Sequence, residues 1–284
     1  MALLDSVPAG CHECVALLTL PLALFLLLAE TAVGGVATVA YLRLSGGLTQ
    51  GFLKFIAVTY AIFGVLAFLV VLAGPPKPAA MNGAIAGGLV FLQGLLVIAL
   101  VANTVVIWRR KDALGGWAFT LSASVLLLAA VSAALWPLAG SLLDGAGIIL
   151  VVALSAAVLG AATTGMLLGH WYLVTPALTN RPLLRAIGIL LVSLVLQAIL
   201  FPLTLGGLSH GSRSVGQALG LSPVLTALWA LSAVLLPLVA TGLALPTCRI
   251  RSFMSTTGLL YLAMIAILPG QLLGLLLFFI VAAG

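Results

Sequence analysis

Charged residues are scarce throughout this sequence of 284 residues. Asp, Glu, Lys and Arg together make up 6% of the chain, and only 5 residues are acidic. A soluble domain carries about 25% charged residues, so this chain cannot cover a water-facing surface of the size it would need. The same composition excludes a disordered chain, which combines many charges with few apolar residues. We therefore expect lipid, and not water, to surround most of the polypeptide.

Cysteines and catalytic motifs are equally sparse. The 3 cysteines are too few for a disulfide framework. The sequence contains no P-loop, no G-x-S-x-G, no H-E-x-x-H and no paired-carboxylate motif. A non-catalytic membrane subunit therefore fits the sequence better than a self-contained enzyme. The net charge of +6 comes from basic residues dispersed between apolar runs, which indicates loop charges and not nucleic-acid binding.

Hydrophobic residues, in contrast, make up 64% of the chain and form eight long runs. A bilayer core about 30 Å thick requires about 20 apolar residues per helix. Backbone exposed to lipid must satisfy its own hydrogen bonds, and continuous runs predict helices, whereas a barrel would show short alternating segments. We predict an all-α, polytopic integral membrane protein. Its eight transmembrane helices are predicted at about 15–42, 52–73, 84–108, 117–138, 147–174, 184–205, 224–245 and 253–281.

Basic residues are concentrated in alternate loops. Nine lie at the connections between spans 1 and 2, 3 and 4, 5 and 6, and 7 and 8, against two elsewhere. The nine are Arg43, Lys54, Arg109, Arg110, Lys111, Arg181, Arg185, Arg249 and Arg251, and the two are Lys77 and Arg213. The positive-inside rule then places both termini on the non-cytoplasmic side of the cell (inner) membrane. The first run follows Asp5 and Glu13 and is too long for a signal peptide, so we predict a permanent span.

The two halves of the chain can be aligned at an offset of 131 residues. Gly34 then lies on Gly165, and the loops and helix ends coincide without a gap. An even number of helices in each half makes such a repeat parallel. We predict two four-helix units, 1–140 with a short outer N-terminus and 141–284. The few identities alone do not separate duplication from coincidence in apolar sequence.

Glu30 is the only charged residue within the first predicted span. A charge at that depth costs several kcal/mol unless it is paired, hydrated or protonated. The functional interpretation is a carboxyl that transfers protons or contacts a quinone. The structural alternative is a protonated Glu that hydrogen-bonds a neighbouring helix. Thr31, Gly34 and Gly35 follow it, and such small residues should let a second helix approach closely.

His170 and Tyr172 belong to the string Gly-His-Trp-Tyr at the end of the fifth predicted span. One interpretation is an interfacial anchor, because aromatic residues and hydrated imidazoles occur at the headgroup level. The other is a cofactor site, in which His170 ligates haem or donates a hydrogen bond to a quinone. A bis-histidine haem is disfavoured because no second histidine falls inside a span. The sequence does not identify a cofactor; quinone is one candidate, and haem is a less favoured one.

Cys11, His12 and Cys14 form a short cluster in the predicted outer N-terminus. Two cysteines at this spacing can form a disulfide or donate two metal ligands. The order differs from the C-x-x-C-H haem attachment motif, because the histidine lies inside the pair. His210, in the long outer loop, can supply a further metal ligand. An incidental pair without either role is the remaining interpretation.

Further polar and proline residues interrupt the apolar runs. The amides and hydroxyls of Gln93, Asn103, Thr163, Thr164 and Gln197 should hydrogen-bond between helices, for about 1 kcal/mol each. Four spans contain prolines, at Pro137, Pro202, Pro237 and Pro269. Broken helices can mark transporter sites, although kinks are also widely tolerated.

The architecture resembles the quinol-interacting membrane anchor subunits of dimethyl sulfoxide, polysulfide and nitrite reductases. The segment LLLAETAVGGVATVAYLRLSGG is similar to the first helix of that family, where small residues follow a polar one before a basic loop. The closing run, LLYLAMIAILPGQLLGLLLFFIVAAG, is similar in shape to its last helix. The chain departs from the family after span 2, where GPPKPAAMNG replaces a histidine-bearing stretch expected near the quinone. Only Glu30 is carried over as a site residue.

These observations together predict an integral membrane subunit of a respiratory or other redox complex. It would anchor peripheral or membrane electron-transfer subunits and bind a quinone or a proton near Glu30. The alternatives are a small proton-coupled secondary transporter, a haem-handling protein that uses His170, and an accessory subunit without a ligand.

Overall fold

The computed structural model describes residues 12–73, 83–109, 114–136, 142–175, 178–208 and 228–283. These residues form eight long helices and contain no strand. The helices are α1 His12–Leu44, α2 Gln50–Ala73, α3 Gly83–Arg109, α4 Leu114–Leu135, α5 Leu142–Val174, α6 Arg181–Leu208, α7 Leu228–Arg249 and α8 Phe253–Ala283. All eight are long and apolar enough to cross a membrane, which confirms the predicted number and type of elements.

Consecutive helices pack against each other, and α1 also contacts α4 while α5 contacts α8. The most extensive contact in the described part of the chain joins α1 and α5. These two helices are also the most buried of the eight, so they form the centre of the molecule. The division at residue 140 stays a prediction.

The four basic connections lie at one end of the molecule, which we call the basic end. There α1, α3, α5 and α7 finish and α2, α4, α6 and α8 begin. Hydrogen bonds join these connections, from Arg185 to the Ser45 carbonyl (2.7 Å), from Arg251 to the Leu178 carbonyl (3.0 Å) and from Gln50 to the Ile107 carbonyl (3.3 Å). The described basic residues at this end are Arg43, Lys54, Arg109, Arg181, Arg185, Arg249 and Arg251. Which compartment the basic end faces stays a prediction.

Helix α7 contains a turn of π-helix at Leu231–Leu235, where the Leu236 N–H donates to the Leu231 carbonyl. Pro237 follows directly, and because proline has no N–H, a carbonyl of the preceding turn loses its helical donor. Gly270 of α8 packs here, since a methyl group at Gly270 would overlap the backbone of Ala233. The contact brings α7 and α8 together beside Pro269, which interrupts α8.

Candidate functional site at Glu30

Glu30 lies at the centre of the bundle and is 1% exposed. Its Oε2 accepts a hydrogen bond of 2.6 Å from the Ser155 hydroxyl of α5. Among the described side chains, only Ser155 hydrogen-bonds this carboxyl, and Oε1 is buried without a partner. An acid in this position has one polar contact and no contact with a cation, which distinguishes it from a structural ion pair.

The polar contacts continue from Ser155 into α6 and α8. The Ser155 hydroxyl also lies 3.2 Å from Oε1 of Gln271. Gln271 and Gln197 exchange two hydrogen bonds, of 2.9 and 3.0 Å, through their side-chain amides. Both glutamines are buried. Four helices thus contribute one polar side chain each to a connected cluster of Glu30, Ser155, Gln197 and Gln271, which we call the Glu30 cluster.

The hydrogen bond between Glu30 and Ser155 can be kept both with and without a proton on Glu30, while Oε1 has no partner among the described residues. Ser155 has one hydroxyl proton and can donate it to only one acceptor at a time. When Glu30 is ionised, Ser155 donates to the carboxylate and Gln197 satisfies the Gln271 carbonyl. When Glu30 is protonated, it donates to Ser155, and Ser155 turns to donate to Gln271. When a proton arrives at Glu30 or leaves it, rotation of this one hydroxyl therefore adjusts the hydrogen bonds without moving a helix.

Small residues bring Ser155 within reach of Glu30. One turn from Glu30, Gly34 packs on the main chain of Ala156, and Gly160 packs on the main chain of Gly34. A methyl group at either glycine would overlap the backbone of the other helix. The sequence-based expectation that Gly34 permits close helix approach is confirmed, and α5 is the helix that approaches.

Gly35 makes a second contact, with α2. The fully buried ring of Tyr60 packs against Gly35, in the space that a side chain would occupy. The Tyr60 hydroxyl lies 2.5 Å from Thr164 Oγ1 and 3.4 Å from the Gly160 carbonyl. Thr164 thus bonds between helices, as predicted. This pair of hydroxyls forms a separate polar contact on the same α1–α5 interface.

His170 and Tyr172 face different surroundings near the end of α5. His170 is exposed, whereas Tyr172 is buried with its ring 5.0 Å from Phe253. The Tyr172 hydroxyl donates to the Thr179 carbonyl and so holds the loop before α6 against α5. The structure does not bring either residue to Glu30, which lies several turns deeper. Their assignment to a quinone or haem stays a prediction.

The predicted metal or disulfide cluster cannot be placed. Cys11 and His210 lie outside the described residues, as do the side chains of His12 and Cys14. Within the part of the chain that is described, no three His, Cys, Asp or Glu side chains come together as a metal site would require. Cys248 is buried at the basic end.

Ser155 and Gln271 are functional candidates that the sequence did not single out. Gln271 is the only amide in a long apolar run and follows directly on Pro269 and Gly270. An isolated amide beside a helix interruption could have identified Gln271 as a site residue. No sequence feature identifies Ser155, because serine is common in membrane helices and usually hydrogen-bonds to its own backbone.

Comparisons with protein-family models, with curated proteins and with solved structures found no match for this chain.

Proposed function

We propose that this chain is an integral membrane subunit of a respiratory or other redox complex, in which Glu30 binds and releases a proton. The observation that carries the proposal is the Glu30 cluster, where a buried carboxyl with no cation beside it can keep its hydrogen bond to Ser155 in both protonation states. A carboxyl buried within a membrane destabilises the protein. Its presence there therefore commonly indicates a function, such as proton transfer.

A redox membrane subunit has a specific use for such a group. Quinone reduction takes up a proton for each electron, and quinol oxidation releases them. Water does not reach the bilayer interior freely, so a side chain must supply or accept protons there. Glu30 can do this because the Ser155 hydroxyl, at 2.6 Å, donates a hydrogen bond to the carboxylate and can accept one from the protonated acid.

The basic end suits the anchoring part of the proposal. Its exposed cations, among them Arg109, Arg181, Arg249 and Arg251, lie on one surface of the molecule. Such a surface attracts an acidic peripheral subunit and orients it during association. The electron-transfer partner would dock at this end.

Affinity purification from native membranes tests the proposal. A tagged chain should copurify with subunits that carry flavin, iron–sulfur clusters or haem. Glu30→Gln keeps the shape and the hydrogen bond to Ser155 but cannot release a proton. We expect it to assemble normally and to lower quinone-linked turnover by at least about tenfold. Purification without redox partners, or normal turnover of Glu30→Gln, refutes the proposal.

A proton-coupled secondary transporter is the second candidate, favoured by the broken helices next to the cluster. Gln271 follows Pro269 in α8, and the π-helical turn of α7 packs beside it. Transporters often place binding groups at such interruptions. A transporter should catalyse proton-coupled uptake alone in proteoliposomes, whereas an anchor subunit should be inactive without its partners.

A further inference from the structure

A groove runs along the outer surface of the molecule between α2 and α3. Its volume is about 290 Å³. Val58 and Ile62 of α2 and Val101 and Val105 of α3 line it, and all four side chains are exposed. The groove therefore opens outward and not into the bundle, so in a bilayer it would face the lipid.

Helical spacing places a lysine and a tryptophan at the end of this groove. On α2, Lys54 lies four residues before Val58, and on α3, Trp108 lies three residues after Val105. Residues three or four apart share a helical face, so both side chains lie one turn nearer the basic end than the groove. Lys54 Nζ is 5.2 Å from the centre of the Trp108 ring. The two side chains therefore meet and bound the groove at the basic end.

The lining of the groove suits a flexible acyl chain better than a partner helix. Close helix association in membranes commonly uses two small residues four positions apart on one helix. Among the described residues of the groove, each helix contributes one small residue, Ala61 on α2 and Thr104 on α3, and the others are valine, isoleucine and leucine. These branched side chains would keep the backbone of another helix at a distance.

The polar group at the groove is already engaged. The Thr104 hydroxyl lies 2.8 Å from the Leu100 carbonyl and 3.2 Å from the Ala57 carbonyl, both within the α2–α3 pair. A hydroxyl has one proton to donate, so these carbonyls use it. The groove therefore presents a hydrocarbon surface, which matches a lipid tail and gives the polar ring of a quinone nothing to bind.

The lysine at the end of the groove supplies a charge without a described counter-ion. Lys54 lies four residues after the start of α2, or about 6 Å along the helix, a depth from which a lysine reaches the headgroup level. Glu30 is the only acid whose side chain the structure describes, and it is bound to Ser155 at the centre of the bundle. The exposed Arg109 follows Trp108 and adds a second cation nearby. Lys54 is therefore available to an anion at the membrane surface.

We propose that the α2–α3 groove binds a phospholipid of negative net charge, with its phosphate at Lys54 and Trp108 and one acyl chain along the groove. A basic site at the membrane surface favours an anionic headgroup over a zwitterionic one, whose ammonium group would lie near Lys54. The inference rests on the membrane location in the proposed function, but not on Glu30 or on redox partners.

Native mass spectrometry of the full chain in dodecyl maltoside tests the proposal. Dioleoylphosphatidylglycerol and dioleoylphosphatidylcholine are titrated separately, because they have the same acyl chains and differ in the net charge of the headgroup. We expect one molecule of phosphatidylglycerol to bind at a concentration about fivefold lower than phosphatidylcholine requires. Equal binding of the two lipids overturns the inference.

Variants of the lysine test the position of the headgroup. Lys54→Gln removes the charge and should weaken phosphatidylglycerol binding several-fold, whereas Lys54→Arg should keep most of it. Arg249→Gln is the matched control, because Arg249 is an exposed cation at the same end of the molecule but on α7, which packs against α6 and α8. If Arg249→Gln weakens binding as much as Lys54→Gln, the overall charge controls binding, and the inference is overturned.

A second pair of variants tests the position of the acyl chain. Val101→Trp fills the groove and should weaken the binding of both lipids. Val192→Trp is its control, since Val192 is also exposed but lies on α6. Equal lipid binding by the two variants overturns the inference. The comparison of Lys54→Gln with Arg249→Gln remains decisive should Val101→Trp fail to fold.

The same spectra separate this inference from its alternatives. A lipid-free dimer that Val101→Trp disrupts would show that a second copy of the chain occupies the groove, and would overturn the inference. A chain that needs detergent but binds both lipids equally leaves the proposed function intact. A chain that stays soluble without detergent and binds neither lipid refutes the membrane location, and the proposed function fails with it.

Discussion

The hydroxyl of Ser155 lies between two acceptors, 2.6 Å from the carboxyl of Glu30 and 3.2 Å from the amide oxygen of Gln271. A buried acceptor that loses its donor costs about 1–3 kcal/mol, and more when it is charged. Ser155 is therefore the residue whose removal most directly penalises the ionised form of Glu30. It is a positioning residue, because it acts on the carboxyl and not on a substrate.

Replacement of Ser155 should separate proton exchange from assembly. We expect Ser155→Ala to slow quinone-linked turnover about tenfold and to change its pH profile, because the carboxylate loses the one donor that the described residues give it. Ser155→Thr keeps a hydroxyl and should recover most of the rate. Turnover and its pH profile in membranes report the effect. An unchanged pH profile in Ser155→Ala would contradict this role.

The exposure of His170 leads to a prediction about pigment. A single exposed histidine near a helix end provides no enclosed pocket for a haem. We expect the purified chain to show no Soret absorbance and His170→Ala to leave its spectrum unchanged. Met166→Leu, one turn earlier on α5, is a suitable control. A Soret band that is lost in His170→Ala would instead support the hypothesis that His170 ligates haem.

Part of the site could be predicted from single residues. Glu30 and Gln197 stand out because charged and amide groups are rare within apolar runs. Their partnership could not be predicted, since Ser155 lies 125 positions from Glu30 and Gln271 lies 74 from Gln197. Nothing local to either residue specifies which helix it will meet.

At the scale of the helix, length and apolarity predicted all eight elements but not all of their ends. The fifth apolar run begins near residue 147, yet α5 begins at Leu142. The charge of Asp144 ends the apolar run in the sequence. The helix nevertheless includes this residue, because an acidic residue is favourable in the first turn of a helix. The π-helical turn of α7 was also beyond prediction, although Pro237 marked an interruption there.

The contact between α1 and α5 predicts a strong difference between two glycines. We expect Gly160→Ala to destabilise the protein by about 1–3 kcal/mol, because the added methyl group overlaps the Gly34 backbone. Gly188→Ala in α6 is the control, since its added methyl group meets open space and alanine favours helices. Thermal unfolding in detergent measures both. Equal melting temperatures would contradict the close packing.

At the scale of the whole molecule, the contacts among α1 to α4 are nearly the same as the contacts among α5 to α8. Contacts α1–α2, α3–α4 and α1–α4 correspond to α5–α6, α7–α8 and α5–α8, and α4–α5 corresponds to α1–α8. A parallel duplication would produce this pattern. The polar residues do not follow it, because Glu30 aligns with Ala161 at the offset of 131. Within the described part of the chain, the second half therefore has no counterpart of the Glu30 cluster.

The shared location of the basic connections predicts membrane topology. Single cysteines replacing Arg109 and Arg249 should react with an impermeant maleimide from one compartment, because both exposed residues lie at the basic end. A cysteine at Arg213 should react only from the other compartment, as the alternation of basic loops predicts. Reaction of all three from one side would refute eight spans with this orientation.

The sequence distance between Glu30 and Ser155 also shapes how the protein is made. A ribosome adds about 5–20 residues per second, so the 125 residues that follow Glu30, up to and including Ser155, take roughly 6–25 s to synthesise. During that interval the first helix has already left the ribosome, and its acid still lacks the hydroxyl that will stabilise it. A nascent chain arrested before α5 would therefore be an early target for membrane quality control, and only completion of the second half would protect it.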